Sequence, residues 1–155
     1  MRTLSIITFV AAFVFPSRYA SASAPINISA EELQMLRARA AQGNALAQFN
    51  LGLLYANGHG VPQDYAMGRE WYEKAAAQGR ADALFTLGEM YAHGQGVPYD
   101  FAKARQWYET ATAQGSADAR RWFEKAAAQG DADAQFSLGL MYATGDGVLQ
   151  DDVRA

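Results

Sequence analysis

Apolar residues recur at every fourth position in three segments of the chain, which is the spacing of one stripe along an α-helix. In the first segment, Ala47, Leu51 and Tyr55 fall at i, i+4 and i+8. The stripe returns further along the chain as Ala83, Leu87 and Tyr91 and again as Ala134, Leu138 and Tyr142. We therefore expect a helix in each of the three segments.

Glycine, proline and aspartate separate each of these helices from a second one. A glycine suited to the left-handed position at a helix C-terminus follows each stripe, at Gly58, Gly94 and Gly145. Pro62 and Pro98 then prevent the helix from continuing. An aspartate stands where the next helix needs an N-cap, at Asp64, Asp100 and Asp151. The pattern predicts hairpins of two helices.

The hairpins repeat with a period of 36 residues. Residues 43–78 and 79–114 match at 21 of 36 positions, and residues 130–155 begin a further copy that stops after 26. Residues 115–129 equal a whole repeat without its middle 21 residues, so the phrase QG-x-ADA occurs twice in quick succession. We interpret 115–129 as an internally shortened repeat.

The N-terminus has the composition of a secretory signal. Arg2 precedes an apolar run from Leu4 to Phe15, and small residues follow around Ala22. This run is too short to span a bilayer, which needs roughly 20 residues. We expect cleavage after Ala22, with residues 1–22 as the signal peptide; the alternative is an uncleaved N-terminal anchor.

A capping helix is expected between the signal and the first repeat, within residues 23–42. Ser29 and Glu32 have the spacing of a capping box, and Ile28 and Leu33 that of a hydrophobic staple. Residues 30–42 resemble the second helix of a repeat without its first.

Charge and composition narrow the possible functions. The formal net charge is −3, and removal of residues 1–22, which hold two arginines and no acid, makes it −5. No basic run suggests a nucleic-acid partner. The chain has no cysteine, and its two histidines, His59 and His93, stand at different repeat positions. We therefore expect no metal, no cofactor and, after signal removal, no membrane span.

The recurring residues carry a family resemblance. The pattern A-x-F-x-L-G-x-x-Y-x-x-G-x-G-V-P-x-D, followed by W-Y-E-x-A-x-A-Q-G, resembles the Sel-1-like repeat, a relative of the tetratricopeptide repeat. The resemblance covers nearly all of residues 36–155, although Leu149 replaces the expected proline. It implies an all-α fold, an α/α solenoid of antiparallel hairpins forming a right-handed superhelix. It also implies a scaffold or adaptor that binds other proteins.

The shortened repeat changes the order of helices. Residues 101–114, 117–129 and 131–144 are expected to form three helices joined by tight turns, with Trp122 and Phe123 at the positions of Trp107 and Tyr108. Either the superhelical path changes locally, or the extra helix takes the vacant first-helix position. At the last helix, 131–144, part of the apolar face is expected to lie uncovered, which would allow self-association or binding of another protein.

The positions at which the repeats disagree form our candidate binding surface. They lie together on one side of the first helices, opposite the recurring residues. The residues proposed to contact a partner are Asn50, Leu53, Asn57, Thr86, Glu89, His93, Ser137 and Leu140. The alternative is an ordinary solvated face.

The sequence favours an exported, periplasmic or secreted interaction protein with no catalytic role. One alternative is a hydrolase, because some cysteine-rich secreted proteins with Sel-1-like repeats are described as β-lactamases. This chain has neither those cysteines nor a recognisable serine nucleophile. The other alternative is a degenerate remnant without a role of its own.

Overall fold

The computed structural model describes residues 27–145, and within this range the chain forms helices and turns without a strand. Seven α-helices follow one another: α1 (Ala30–Ala41), α2 (Ala45–Asn57), α3 (Tyr65–Ala76), α4 (Ala81–His93), α5 (Phe101–Ala113), α6 (Ala117–Ala128) and α7 (Ala132–Thr144). The expected all-α repeat fold is confirmed. The signal peptide and the N-cap at Asp151 lie outside the described residues.

The helices divide into two compact units, with the boundary between residues 75 and 76. The first unit contains α1, α2 and α3, and the second contains α4 to α7. The right-handed superhelix stays a prediction.

The first unit begins with the expected capping box. The Ser29 hydroxyl accepts from the backbone N–H of Glu32, and the Glu32 carboxylate accepts from the backbone N–H of Ser29. The bond from the Ser29 backbone N–H lowers the pKa of Glu32 because it favours the ionised carboxylate, and the Ser29 hydroxyl lowers this pKa further. Leu33 is buried in a core shared by α1 and α2, and Ile28 packs against the same core.

The α2–α3 hairpin closes around a glycine and a tyrosine. Gly58 ends α2 with a φ of 69°, a conformation that favours glycine, and the Asp64 carboxylate accepts from the backbone N–H of Met67 in the first turn of α3. The buried Tyr72 ring lies so close to Gly52 that a Cβ there would stand 2.6 Å from it. The glycine therefore lets α3 approach α2.

The α4–α5 hairpin of the second unit repeats this packing. Gly94 ends α4 with a φ of 65°, and Asp100 caps α5. A Cβ on Gly88 would lie 2.6 Å from the Tyr108 ring. The rings of Phe85 and Tyr108 are 5.4 Å apart, as those of Phe49 and Tyr72 are 5.6 Å apart in the first unit.

The shortened repeat forms the single helix α6, joined on both sides by short turns of one kind. The N–H of Ser116 donates to the Ala111 carbonyl at 2.9 Å, and that of Asp131 to the Ala126 carbonyl at 3.1 Å. The expected succession of α5, α6 and α7 through tight turns is confirmed. The local change in superhelical path stays a prediction.

The buried residues of α6 match the repeat pattern whether positions are counted from the glycine before the helix or from the glycine after it. Ala119 and Phe123, both fully buried, stand where Ala83 and Leu87 stand when counted from the preceding glycine. Counted from the following glycine, Phe123 stands at the position of Tyr108. One helix therefore presents suitable side chains to the helices before and after it.

Candidate functional site

A groove of about 400 Å³ lies between α5 and α7 in the second unit. Helix α5 contributes Arg105, Glu109 and Ala113, and α7 contributes Asp133, Phe136, Ser137, Leu140, Met141 and Thr144. The α7 residues lie together because their spacing places them on one face of a helix with 3.6 residues per turn. The groove combines an apolar wall on α7 with polar groups from both helices.

The polar groups of the groove form a connected network. The Arg105 guanidinium lies 2.5 Å from the Asp133 carboxylate and 4.0 Å from that of Glu109. The Ser137 hydroxyl donates to the Glu109 carboxylate at 2.9 Å. The network holds two carboxylates and one cation, so the groove has an excess of negative charge.

On α7, the groove contains the residues at which the repeats disagree. Ser137 and Leu140, both proposed above as partner contacts, line it together with Asp133 and Thr144. Leu140 is 54% exposed. The structure thus brings the α7 part of the predicted surface into a concave site, although partner binding there stays a prediction.

On α2 and α4, the expectation of an open surface is wrong at two positions. Leu53 is 8% exposed and Thr86 is 3% exposed. The Thr86 hydroxyl donates to the Asp82 carbonyl of its own helix at 2.8 Å. The physical reason is that α2 and α4 are covered on several sides; eight of the 13 residues of α2 are buried, against two of 13 in α7. Residues opposite the recurring stripe are then buried as well.

The two remaining candidate residues on α2, Asn50 and Asn57, are both partly buried. Asn50 is half-buried, and its side-chain oxygen has no hydrogen-bond partner among residues 27–145. The Asn57 amide donates to the Leu53 carbonyl at 3.0 Å. Both residues are therefore only partly exposed.

On α4, Glu89 and His93 form a small polar cluster with α5. The Tyr108 hydroxyl donates to the Glu89 carboxylate, whose side chain is only 13% exposed. His93 is exposed, and its Nδ1 lies 3.0 Å from the Glu89 carbonyl oxygen. Burial raises the pKa of Tyr108, and the neighbouring Glu89 charge raises it further. Of the candidates on α2 and α4, only His93 is open to solvent.

Helix α7 has a second face that no other helix among residues 27–145 covers. Phe136, which also lines the groove, is 73% exposed and Tyr142 is 48% exposed, and a Cβ on Gly139 would meet no atom of this range within 4 Å. These residues recur in the other repeats, where their counterparts contact the second helix of the hairpin. This face is therefore apolar and accessible.

Sequence reasoning missed the α5 side of the groove and its apolar residues on α7. Arg105 and Glu109 repeat Arg69 and Glu73, and Phe136 repeats Phe85, so recurrence marked all of them as packing residues.

Residues 27–145 contain no group of three or more potential metal ligands. None of the helices there is both long and apolar enough to cross a bilayer.

Comparisons with known proteins agree with the repeat pattern. The Sel1 repeat model matches residues 45–79, 81–116, 117–131 and 132–155. A search of curated proteins gives no match.

Two solved structures are similar over 76% of the chain. A Sel1 repeat protein from Oxalobacter formigenes is 33% identical with a TM-score of 0.57, and a protective antigen present in uropathogenic Escherichia coli strains, displaying an SLR fold, is 38% identical with a TM-score of 0.56. The chain covers 57% of the first structure and 30% of the second, less than two thirds of either.

Proposed function

Because the chain belongs to the Sel1 repeat family, we propose that it is an exported, non-catalytic scaffold that binds another protein or peptide. Sel1 repeat proteins generally act as scaffolds for protein–protein interactions. The observation that carries the proposal is the groove between α5 and α7, in which exposed apolar side chains lie beside a polar network. This combination is typical of sites that bind polypeptide segments.

The chemistry of the groove favours a partner with apolar and basic side chains. Phe136 and Leu140 offer apolar area that is removed from water when a partner binds. Two carboxylates face a single guanidinium, so a lysine or arginine of the partner would find a complementary charge. The ligand that fits is a short segment carrying both features.

Site-specific crosslinking tests this function. A photoreactive amino acid replaces Leu140 in the groove, and a matched chain carries it at Met35, an exposed apolar residue of α1. After crosslinking in the native compartment, mass spectrometry identifies the adducts. We expect a defined protein adduct at position 140 that is absent at position 35; the same adducts at both positions would refute the groove as the binding site.

A charge variant provides a second test of the groove. Leu140→Asp places a carboxylate in the apolar wall and should abolish capture of the identified partner, whereas Met35→Asp should leave capture unchanged. Equal capture by both variants would refute the proposal.

Export is proposed from the composition of residues 1–22. We expect the mature protein, recovered from the periplasm or the medium, to begin at Ser23. Intact-mass measurement after fractionation tests this, and recovery of the uncleaved chain from the cytoplasm would contradict it.

Catalysis forms no part of the proposed function. The purified protein is expected not to hydrolyse the chromogenic β-lactam nitrocefin above the buffer rate. Turnover that follows the protein through purification would overturn this expectation.

A further inference from the structure

The two helices that line the groove run in the same direction. Arg105 of α5 pairs with Asp133 of α7, and one turn further along both helices Glu109 accepts a hydrogen bond from Ser137. Both contacts join residues that are 28 positions apart. Positions along α5 and α7 therefore increase together, as they do only in parallel helices.

The parallel direction follows from the shortened repeat. The two helices of an intact hairpin are antiparallel, as the contacts of Phe49 with Tyr72 and of Ala56 with Gly68 show for α2 and α3. A complete repeat would place two helices after α5, and the first helix of the next repeat would then run opposite to α5. The shortened repeat, residues 115–129, supplies only α6. Helix α7 consequently runs parallel to α5 and meets it in the observed register.

One carboxylate of the groove keeps an oxygen available for a ligand. The Asp133 carboxylate is already paired with the Arg105 guanidinium at 2.5 Å. In Glu109, Oε1 accepts the Ser137 hydroxyl and lies 4.0 Å from Nε of Arg105. The other oxygen, Oε2, makes no hydrogen bond or ion pair with residues 27–145, and the Glu109 side chain is 43% exposed. A donor from a partner can therefore bind Oε2 without displacing either contact of Oε1.

The charge around Oε2 favours a cation. Asp133 balances the charge of Arg105, so Glu109 leaves one negative charge in excess. Because α5 and α7 are parallel, their C-terminal ends also lie at the same end of the groove, which Ala113 and Thr144 line. Helix C-termini carry a partial negative charge. An ammonium or guanidinium group therefore meets complementary charge at Glu109.

The repeat pattern directs the chain's own continuation after α7 away from Glu109. In both intact hairpins the connector turns back onto the helix that it leaves, because the N–H of Asp64 donates to the Tyr55 carbonyl and that of Asp100 to the Tyr91 carbonyl. The next helix then packs on the glycine side of the first one. The sequence after α7 repeats the Gly-Val and Asp of these connectors, although it lies outside the described residues.

Ser137 is on the opposite side of α7 from this glycine. It stands two residues before Gly139, and at about 100° per residue the two positions are about 160° apart around the helix. A continuation that follows the intact hairpins therefore packs on the Gly139 side and leaves the contact between Glu109 and Ser137 accessible. Residues 146–155 also carry three aspartates and one arginine, so their charge has the same sign as that of the groove.

We propose that the shortened repeat creates a binding site for a basic segment of another polypeptide, in which Oε2 of Glu109 binds a lysine or arginine side chain. Leu140, which lines the same groove three residues beyond Ser137, contacts an apolar side chain of that segment. Side chains two positions apart in an extended segment lie on the same side, about 6.6 Å apart, so one residue separates the basic and the apolar residue. The proposal rests on the scaffold function and deepens it by naming the residue that determines partner specificity.

The first test uses the mature chain, residues 23–155, and a displayed library of random heptapeptides. We expect the selected peptides to be enriched in lysine or arginine two positions from an apolar residue. The most enriched peptide is synthesised, and fluorescence anisotropy measures its Kd. Selection without enrichment of basic residues would overturn the proposal.

Charge variants test the role of Glu109. Glu109→Gln keeps the shape of the side chain and an acceptor for Ser137 but removes the charge, so the affinity should fall about five- to tenfold. This difference should shrink in about 1 M salt, which screens the interaction. The matched control is Glu73→Gln, which removes the counterpart charge on α3, paired there with Arg69, and should leave the affinity unchanged. Equal affinity of the wild-type and Glu109→Gln chains would overturn the proposal.

Completion of the repeat tests how the groove arises. A copy of residues 84–104 between Ala119 and Arg120 restores the missing 21 residues, and this chain should stay helical by circular dichroism but bind the peptide at least about tenfold more weakly. Unchanged binding by the folded inserted chain would refute the role of the shortened repeat. In the cysteine-free parent, Glu109→Cys combined with Ser137→Cys should be joined by a short bis-maleimide. Failure of this crosslink would refute the parallel register, even where the inserted chain does not fold.

The results also separate this inference from the scaffold function. If Leu140→Asp abolishes peptide binding and Glu109→Gln leaves it unchanged, the groove binds a partner but Glu109 does not determine its specificity. If no defined adduct forms at position 140 and no peptide is selected, the scaffold function itself is contradicted.

Discussion

Two equivalent tyrosines should differ in what their hydroxyl groups contribute to stability. Tyr72 and Tyr108 occupy the same repeat position, and both are buried. The Tyr108 hydroxyl donates to the Glu89 carboxylate, but the Tyr72 hydroxyl has no hydrogen-bond partner in the described part of the chain. Replacement by phenylalanine removes one oxygen from each and leaves the ring against its glycine.

The expected changes in free energy of unfolding have different sizes. Tyr108→Phe removes a hydrogen bond to a charged group and leaves a mostly covered carboxylate without this donor, which costs about 1.5–3 kcal/mol. Tyr72→Phe removes a buried hydroxyl that gains nothing from the fold, so we expect no loss and up to about 1 kcal/mol of gain. The two variants should therefore differ by about 2 kcal/mol or more.

Thermal unfolding followed by circular dichroism measures this difference. For a chain of this length, 1 kcal/mol shifts Tm by about 2–4 °C, so Tyr108→Phe should lower Tm by about 3–12 °C. Because Tyr72 and Tyr108 lie in different units, each transition is fitted separately if two are resolved. Equal destabilisation by the two variants would refute the assignment of the hydrogen bond as the cause.

Three further predictions follow from the same packing. Burial raises the pKa of Tyr72 and Tyr108, so the folded chain keeps both hydroxyls protonated at a pH at which the unfolded chain loses these protons. The free energy of unfolding should therefore be constant below pH about 10 and fall as the pH rises above it. In a plot of Tm against pH, the fall should be less steep for either phenylalanine variant. Gly88→Ala should lower the free energy of unfolding in urea by about 1–3 kcal/mol because its methyl group meets the Tyr108 ring. Gly139→Ala should raise it by about 0.5–1 kcal/mol, because alanine favours the helix and its methyl group has space among residues 27–145. Equal effects of the two substitutions would contradict the open face of α7. Ser29→Ala should cost about 0.5–2 kcal/mol through loss of the α1 cap, and Ser29→Thr should restore most of it.

The succession of helices could be predicted because local chemistry determines each boundary. Gly58 and Gly94 adopt left-handed backbone conformations at helix ends, and Asp64 and Asp100 bond to the first turn of the next helix. These interactions involve residues close in sequence, and the repeat shows each of them twice. The helix α6 followed from the same reasoning, because both of its joints keep the sequence of an intact turn.

The binding surface could be predicted only in part, because exposure depends on distant neighbours. Thr86 and Ser137 share one repeat position, yet Thr86 is buried and Ser137 lies in the groove. Disagreement between repeats shows that a position tolerates change, but it does not show whether another helix covers it. Leu53 is an apolar residue on the side of α2 that was expected to face solvent. Such a residue indicates a helix that is covered on all sides.

Recurrence and exposure therefore have to be considered together in a repeat protein. A recurring residue builds the stack only where another helix lies against it. Gly88 has Tyr108 against it, whereas a Cβ on Gly139 would have no residue of the range 27–145 within 4 Å. The same glycine then changes from a packing residue to part of a potential interface, without any change in sequence. Because stacking interactions in repeat proteins act between nearest neighbours, an uncovered face keeps the shape and preference of the covered one. In α7, the recurring residues Phe136 and Gly139 are consequently as strong candidates for recognition as the variable Ser137 and Leu140.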